Sequence, residues 1–305
     1  KLVGGHRIPG SAYESIYHAE REAGLPDYRS QGLPASELTM ARLLKNAGYR
    51  TLHLGKWHLG EDPQFQPNAH GFDESLHMLG GGGMFLPENA PDVVNAKITF
   101  DPLDKFIWAA HPWGLGFNGG PSFAPARYVT DYLTDEAIRG IEANRHRPFF
   151  MYLSYNAPHT PLQATKEDYD ALRQIGDHAL RVYAAMIRSL DRNVGRVLDA
   201  LKANGLDDNT LVVFTSDNGG AHYIGLPDIN RPYRGWKATF FEGGVRVPFF
   251  MRWPGTVPAA TKMAAPVSHF DIFATALAAA GVPLPTDRKI DGVDLLPYVT
   301  GQQAG

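Results

Sequence analysis

Cysteine is absent from all 305 residues of the sequence. This absence excludes disulfides, thiolate metal sites and a cysteine nucleophile within these residues. The chain also has no basic excess, since its formal net charge is -3, and this argues against nucleic acid as a partner. No stretch approaches the roughly 18 apolar residues that a membrane span requires. The sequence therefore predicts no membrane-spanning helix.

What is present is typical of a folded α/β protein. Hydrophobic residues make up 44% and charged residues 20% of the chain, and no linker divides it. Apolar runs that alternate with amphipathic segments predict a doubly wound, mostly parallel sheet with helices on both faces. Strands are expected at 51–54, 148–154, 211–215 and 247–251, and those at 148–154 and 211–215 are expected to be fully buried. Helices are expected at 36–47 with Ser36 as the N-cap, and at 127–144, 177–205 and 268–280.

The long helix at 177–205 and the connection at 79–125 have further features. The helix is expected to bury a seam of apolar residues at a spacing of 3.6, namely Leu180, Tyr183, Ile187, Leu190, Val194, Val197, Leu198 and Leu201. The connection contains four consecutive glycines at 80–83 and is rich in proline and aromatic residues. A long irregular segment of this kind is expected to carry function-specific loops.

The turn at residues 55–60, Gly-Lys-Trp-His-Leu-Gly, is the first candidate site. It follows the strand at 51–54 and places Lys56 and His58 between two glycines that tolerate unusual backbone angles. In an open α/β sheet, ligands bind at the carboxyl ends of the strands. We therefore expect this turn to bind an anionic group.

Three further segments follow predicted strands or precede them. Asp217 and Asn218 come after the strand at 211–215 and offer the oxygen ligands that calcium or magnesium prefers, although an Asx turn would give the same pattern. His159 lies between two prolines after the strand at 148–154, and it is either a site residue or a packed loop histidine. Lys237 precedes a glycine pair and a strand, and a solvated lysine is its alternative interpretation. Together with Lys56 and His58, these residues suit an anion held by a divalent cation and several cationic donors.

The order of these motifs resembles the type I sulfatases, the formylglycine-dependent, arylsulfatase-like family of the alkaline phosphatase-like superfamily. The motifs that carry the resemblance lie at residues 48–60, 67–73, 130–137, 157–161, 216–219, 237–248 and 291–297. The resemblance implies a sulfuric ester hydrolase with calcium, or magnesium, as its metal ion. It also implies a formylglycine nucleophile made from cysteine or serine.

The resemblance implies a role for each candidate residue. Lys56 matches the lysine that contacts the sulfate and the nucleophile, and His58 matches the histidine near the hydroxyl of the nucleophile. His159 matches the histidine on the leaving-group side, and Lys237 matches the lysine that contacts the sulfate and the leaving oxygen. Asp217 and Asn218 match the second of the two pairs of calcium ligands that the family has along its chain.

The sequence departs from the family pattern at the nucleophile. It contains no Cys/Ser-x-Pro/Ala-x-Arg motif, and residues 2–10 resemble the stretch that follows this motif in the family. We therefore expect residues 1–305 to be a sulfatase catalytic core that lacks two parts of the family fold. These are the N-terminal nucleophile segment, with a first strand and two aspartate ligands, and a small C-terminal antiparallel sheet. Such a fragment alone is expected to be inactive.

Two other functions fit the same residues. One is a binding module that naturally has no nucleophile, and the other is a phosphodiesterase or phosphonate monoester hydrolase of the same superfamily. The expected substrate is a sulfated small molecule or carbohydrate, and Trp108, Trp113 and Tyr233 either stack on its ring or pack in the interior. The resemblance indicates a periplasmic or secreted enzyme, and the sequence leaves the oligomeric state open.

Overall fold

The structure is a computed structural model that describes residues 31–303. The segment at 2–10 that resembles the stretch after the family's nucleophile lies outside the described residues. The strands of the described part are β1 (Arg50–Lys56), β2 (Glu74–Met78), β3 (Val93–Ala96), β4 (Gly116–Phe117), β5 (Phe149–Ser154), β6 (Leu162–Thr165), β7 (Val212–Thr215) and β8 (Phe249–Arg252). The α-helices are α1 (Met40–Asn46), α2 (Pro102–Ala110), α3 (Val129–Asn144), α4 (Lys166–Asp170), α5 (His178–Ala203), α6 (Glu242–Val245), α7 (His269–Ala279) and α8 (Leu296–Val299).

A four-stranded sheet with the order β4-β2-β1-β5 forms the centre of the fold. The strands β2 and β5 both pair in parallel with β1, and the short β4 pairs antiparallel with β2. Two antiparallel pairs, β3 with β6 and β7 with β8, form separate two-stranded sheets. The central sheet is thus mostly parallel.

Helices cover both faces of the central sheet. On one face, Leu52 and Leu54 of β1 belong to a buried cluster with residues of α3 and α5, including Leu133 and Met186. On the other face, Ala41 of α1 belongs to a cluster with Trp57, Phe72 and Phe150. This arrangement confirms the doubly wound α/β fold that the sequence predicts.

The N-cap of α1 differs from the prediction. Thr39, not Ser36, has an extended backbone and accepts a hydrogen bond from the Arg42 N–H at 3.1 Å. Residues 34–37 instead form a turn in which the Glu37 N–H donates to the Pro34 carbonyl. Ser36 is thus one turn too early to be the cap. The predicted end of the helix is confirmed, because Gly48 takes a positive φ of 93° directly after it.

Two strands are less buried than the sequence predicts. The strand β5 is half-buried along its length, and 48% of Tyr152 is exposed. Within the described residues it lies at the edge of the four-stranded sheet, so only one of its sides has a neighbouring strand. The strand β7 is also half-buried, and it pairs antiparallel with β8 instead of joining the parallel sheet.

The seam predicted for α5 is also partly wrong. The helix begins directly after Asp177, the predicted first residue, which is instead its N-cap and accepts from the Leu180 N–H at 2.8 Å. However, Leu180 and Ile187 are about two-fifths exposed. The residues that α5 buries are Val182, Ala185, Met186, Ser189, Asn193, Ala200 and Leu201.

Candidate active site

The strand β1 delivers Lys56 to the carboxyl end of the central sheet, as predicted. Gly55 has a φ of 112°, and a Cβ atom there would lie 2.0 Å from the Ser154 carbonyl oxygen, so only glycine fits beside β5. The Lys56 carbonyl accepts a hydrogen bond from the Ser154 hydroxyl at 2.6 Å and lies 3.2 Å from Nε2 of His53. These contacts hold the backbone of Lys56 at the end of the strand.

His58 lies in the turn after β1, with a positive φ of 55°. Its N–H donates to the Leu79 carbonyl at 3.0 Å, which ties the turn to the end of β2. The side chain is exposed, and its ring lies against Gly81, where a Cβ atom would be 2.9 Å from both Cε1 and Nε2. The turn therefore presents Lys56 and His58 at the same sheet edge.

His159 and Lys237 are in direct contact. His159 follows β5, and its Nε2 lies 3.3 Å from Nζ of Lys237, while its Nδ1 lies 2.7 Å from the Thr160 carbonyl oxygen. A carbonyl only accepts, so Nδ1 carries the proton and donates to Thr160, which leaves Nε2 to accept from the Lys237 ammonium. The contact fixes the tautomer of the histidine.

The loop at 216–220 brings Asp217 and Asn218 to this contact. The Lys237 N–H donates to the Gly220 carbonyl at 3.1 Å, so the backbone of Lys237 lies directly on the loop. A Cβ atom on Gly219 would lie 1.8 Å from the Gly243 carbonyl oxygen, which explains why glycine follows Asn218. The amide of Asn218 donates to the Gly219 carbonyl at 3.0 Å.

Electrostatics show that the charged groups of these segments share one space. Burial and the nearby charge of Lys237 lower the pKa of Lys56, whereas the carboxylate of Asp217 opposes this shift. Burial lowers the pKa of Lys237, and Asp217 again opposes the shift. Burial, Lys237 and Lys56 together lower the pKa of His159 to about 3, so its imidazole is neutral at neutral pH.

The structure thus brings Lys56, His159, Lys237 and Asp217 into one cluster. His58 is two residues after Lys56 in the same turn, and Asn218 directly follows Asp217, so both lie beside this cluster. The predicted residues therefore converge, although they come from the central sheet, the β7–β8 pair and a connecting loop. Convergence of two ammonium groups and neutral imidazole on one space makes a site for a small anion.

Three features of the site were missed by sequence reasoning. His111 lies near His159, since its charge contributes to the lowered pKa of that residue. Asn230 holds the loop at 216–220, because its amide both accepts from the Gly220 N–H at 2.8 Å and donates to the Gly220 carbonyl at 2.9 Å. The glycines at 80–83 are visible in the sequence, but nothing there indicates which side chains they face.

The donors for a metal ion are only partly supplied by the described residues. Asp217 and Asn218 offer a carboxylate and an amide oxygen, which fit the preference of calcium for oxygen ligands. Calcium takes roughly six to eight oxygens, and residues 31–303 contain no group of three or more His, Cys, Asp or Glu that could hold a metal ion. The pair therefore fits as part of a calcium site.

The predicted aromatic residues lie in different surroundings. Trp108 is on α2, and Trp113 is half-buried and packs against the main core. The guanidinium of Arg246 lies 4.6 Å from the centroid of the Tyr233 ring.

Within residues 31–303, no helix combines the length and apolar composition of a membrane span.

The fold and this cluster define an α/β protein with cationic and polar side chains gathered at the carboxyl edge of a mostly parallel sheet. The family model of the sulfatases matches residues 11–282, so the chain belongs to the sulfatase family. This result confirms the resemblance that the motifs predict.

Individual relatives agree with this assignment. The chain is 35% identical to N-acetylgalactosamine-6-sulfatase of Mus musculus over 97% of this chain and 55% of that protein. It is also 35% identical to steryl-sulfatase of Rattus norvegicus, over 89% of this chain and 56% of that protein. The crystal structure of Ps i-CgsB in complex with k-i-k-neocarrahexaose superposes with a TM-score of 0.76 at 37% identity, covering 87% of this chain and 58% of that one. The chain spans about half the length of the curated relatives that it matches.

Proposed function

We propose that the protein containing this chain hydrolyses a sulfate monoester of a sugar. The observation that carries the proposal is the contact between Lys237 and His159, next to Lys56 and Asp217, at positions that match the family's motifs. A sugar is the favoured alcohol because one relative is named N-acetylgalactosamine-6-sulfatase and a solved relative holds a neocarrahexaose. Residues 1–305 are proposed to belong to the sulfatase catalytic core.

Binding of the sulfate group is assigned to the two lysines. Burial lowers the pKa of both Lys56 and Lys237, and the positive charge of Lys237 lowers the pKa of Lys56 further. A bound sulfate would offset this repulsion, and it would be held by charges that need no rearrangement. Transfer of a sulfuryl group spreads charge over several oxygens, by analogy with phosphoryl transfer, so such fixed charges favour the transition state.

Protonation of the leaving oxygen is assigned to Lys237. The neutral His159 accepts a hydrogen bond from the Lys237 ammonium and thereby orients it. In the absence of bound anion, His159 carries no second proton to donate, because its pKa is about 3. Lys237 is therefore the better acid, and His159 is its orienting partner and acceptor on the leaving-group side.

The metal ion and the nucleophile belong to the same proposal. Asp217 and Asn218 are proposed as two of the ligands of a calcium ion, which would supply positive charge to the sulfate oxygens when bound. His58 is proposed to lie near the hydroxyl of the formylglycine nucleophile. No residue of this sequence is assigned as that nucleophile, because the Cys/Ser-x-Pro/Ala-x-Arg motif does not occur in it.

The test compares sulfate and phosphate esters with the gene product that carries this chain. We expect hydrolysis of N-acetylgalactosamine 6-sulfate, with kcat/KM reduced about 100-fold or more in Lys237→Ala, the loss typical of removing one stabilising donor. The matched control is Lys262→Ala, which changes an exposed lysine outside the site.

Two outcomes would contradict the proposal. Faster hydrolysis of a phosphodiester or phosphonate monoester than of the sulfate would favour the other hydrolase class. Binding of the sugar sulfate without any hydrolysis would favour a binding module.

A further inference from the structure

The four glycines at 80–83 separate the rings of two histidines. A Cβ atom on Gly81 would lie 2.9 Å from the His58 ring, and a Cβ atom on Gly82 would lie 2.7 Å from Cε1 of His111. Real Cβ atoms do not approach other atoms this closely, so a side chain at either position would displace an imidazole. The adjacent residues of one turn therefore set the positions of two rings.

Backbone hydrogen bonds fix this turn at both ends. Before the glycines, the His58 N–H donates to the Leu79 carbonyl at 3.0 Å. After them, the Met84 N–H donates to the Pro112 carbonyl, also at 3.0 Å. The segment that carries His111 is thus attached to the same turn as the segment that carries His58. Gly82 is buried between them.

His111 faces the cluster of Lys237 and His159 from a different part of the fold. Its charge contributes to the low pKa of His159, which places the two rings within electrostatic reach. The sulfate-binding candidates lie in turns next to the sheet strands, whereas His111 directly follows α2, in the connection between β2 and α3. It therefore approaches the site from the side of the loops.

We propose that His111 is a specificity-determining residue that donates a hydrogen bond to an oxygen of the sugar bearing the sulfate, and that Gly82 sets its position. This inference rests on the proposed function and names a residue for its alcohol side. The lysines hold the sulfate, His159 orients Lys237, and His111 recognises the sugar beside them.

The experiment uses two substrates whose alcohols differ. N-acetylgalactosamine 6-sulfate offers sugar oxygens to His111, whereas p-nitrophenyl sulfate has none at that place. In the gene product that carries this chain, His111→Ala is expected to lower kcat/KM for the sugar sulfate about tenfold more than for the aryl sulfate, the loss of one hydrogen bond to substrate. Most of this loss is expected in KM, and His111→Gln, which keeps a donor, is expected to recover part of it.

The glycine turn supplies a matched pair of variants. Gly82→Ala is expected to reproduce the substrate preference of His111→Ala, because the new methyl group displaces the ring. Gly80→Ala is the control, since a Cβ atom there would meet only the Glu61 carboxylate at an ordinary 3.6 Å. Thermal unfolding of each variant checks that the fold is retained.

Three results would overturn the inference. Equal losses on both substrates would show that His111 serves the sulfate or the fold, and a Gly82→Ala variant with the preference of Gly80→Ala would remove the role of Gly82. Calorimetry with N-acetylgalactosamine 6-sulfate separates this test from that of the proposed function, because it needs no turnover. Unchanged affinity in His111→Ala would refute the role of His111 even if the protein hydrolysed no sulfate ester.

Discussion

The pair of His159 and Lys237 is the residue-scale feature on which the chemistry depends. Replacing Lys237 by methionine keeps a side chain of similar length but removes its charge. The pKa of His159 should then rise above about 3, while burial and the charge of Lys56 keep it below the ordinary 6.5. Titration of the His159 ring followed by NMR measures this shift. Lys262→Met is the control, and an unchanged pKa in Lys237→Met would show that the lysine charge does not act on His159.

A second histidine, His53, should make the stability of the fold depend on pH. It is buried in β1, and burial lowers its pKa to about 4. Between pH 6.5 and pH 4 the unfolded chain binds this proton and the folded protein does not, so the free energy of unfolding falls as the pH falls. The shift of about 2.5 pKa units corresponds to about 3 kcal/mol at most.

The variant His53→Gln tests this dependence, because an amide does not titrate in this range. Urea unfolding at several pH values between 6.5 and 4 should show a weaker pH dependence in His53→Gln than in the unmodified protein. His146→Gln replaces an exposed histidine and should keep the original slope. The same slope in both variants would mean that His53 is not the titrating group.

Individual site residues could be predicted where the local sequence carries a signal. Lys56 and His159 stand beside glycine or proline at the ends of predicted strands, and the structure places both at that edge. His111 has no such signal, because it follows an ordinary helix end and its ring lies against Gly82 of a turn distant in sequence. Contacts between distant segments are absent from a periodicity pattern, so this residue could not be predicted.

At the scale of elements, the start of α1 gives a direct comparison of two candidate caps. Thr39→Ala removes a hydroxyl that accepts from the Arg42 N–H and donates to the His70 carbonyl at 2.5 Å, and it should cost about 1 kcal/mol or more of unfolding free energy. Ser36→Ala should cost less than about 0.5 kcal/mol, as an ordinary surface substitution does. Chemical unfolding of both variants measures the difference, and equal costs would contradict the assignment of the cap.

The element types were easier to predict than their surroundings. An apolar run such as 148–154 predicts a strand, and β5 is one, but the run does not specify how many neighbours the strand has. For α5, the 3.6 periodicity was correct, yet the buried face is rotated toward small and polar residues such as Ser189 and Asn193. Asn193 is buried because its amide donates to Asp131 of α3 at 2.7 Å, a pairing that hydrophobic periodicity does not register.

At the scale of the whole molecule, the site joins parts that belong to different sheets. Lys56 is the last residue of β1 in the central sheet. Asp217 lies just after β7 of a two-stranded sheet, and Lys237 lies in the loop before α6. The formal net charge of the chain is -3, so its overall charge supplies no general attraction for an anion. Anion binding must therefore depend on how accurately these parts are held together.

Asn230 is the residue that holds two of these parts, and its removal tests this dependence. Its amide bonds both backbone groups of Gly220 and also donates to the Gly235 carbonyl at 3.1 Å, so it joins the Asp217 loop to the turn before Lys237. In Asn230→Ala, inorganic sulfate should raise the melting temperature less than in the unmodified protein, because weaker binding to the folded state gives less stabilisation. Asn209→Ala, which changes an exposed residue at the opposite end of β7 from the loop, should keep the full sulfate-dependent shift. If Asn230→Ala showed the same shift as Asn209→Ala at every sulfate concentration, the lysines would keep their positions without this link.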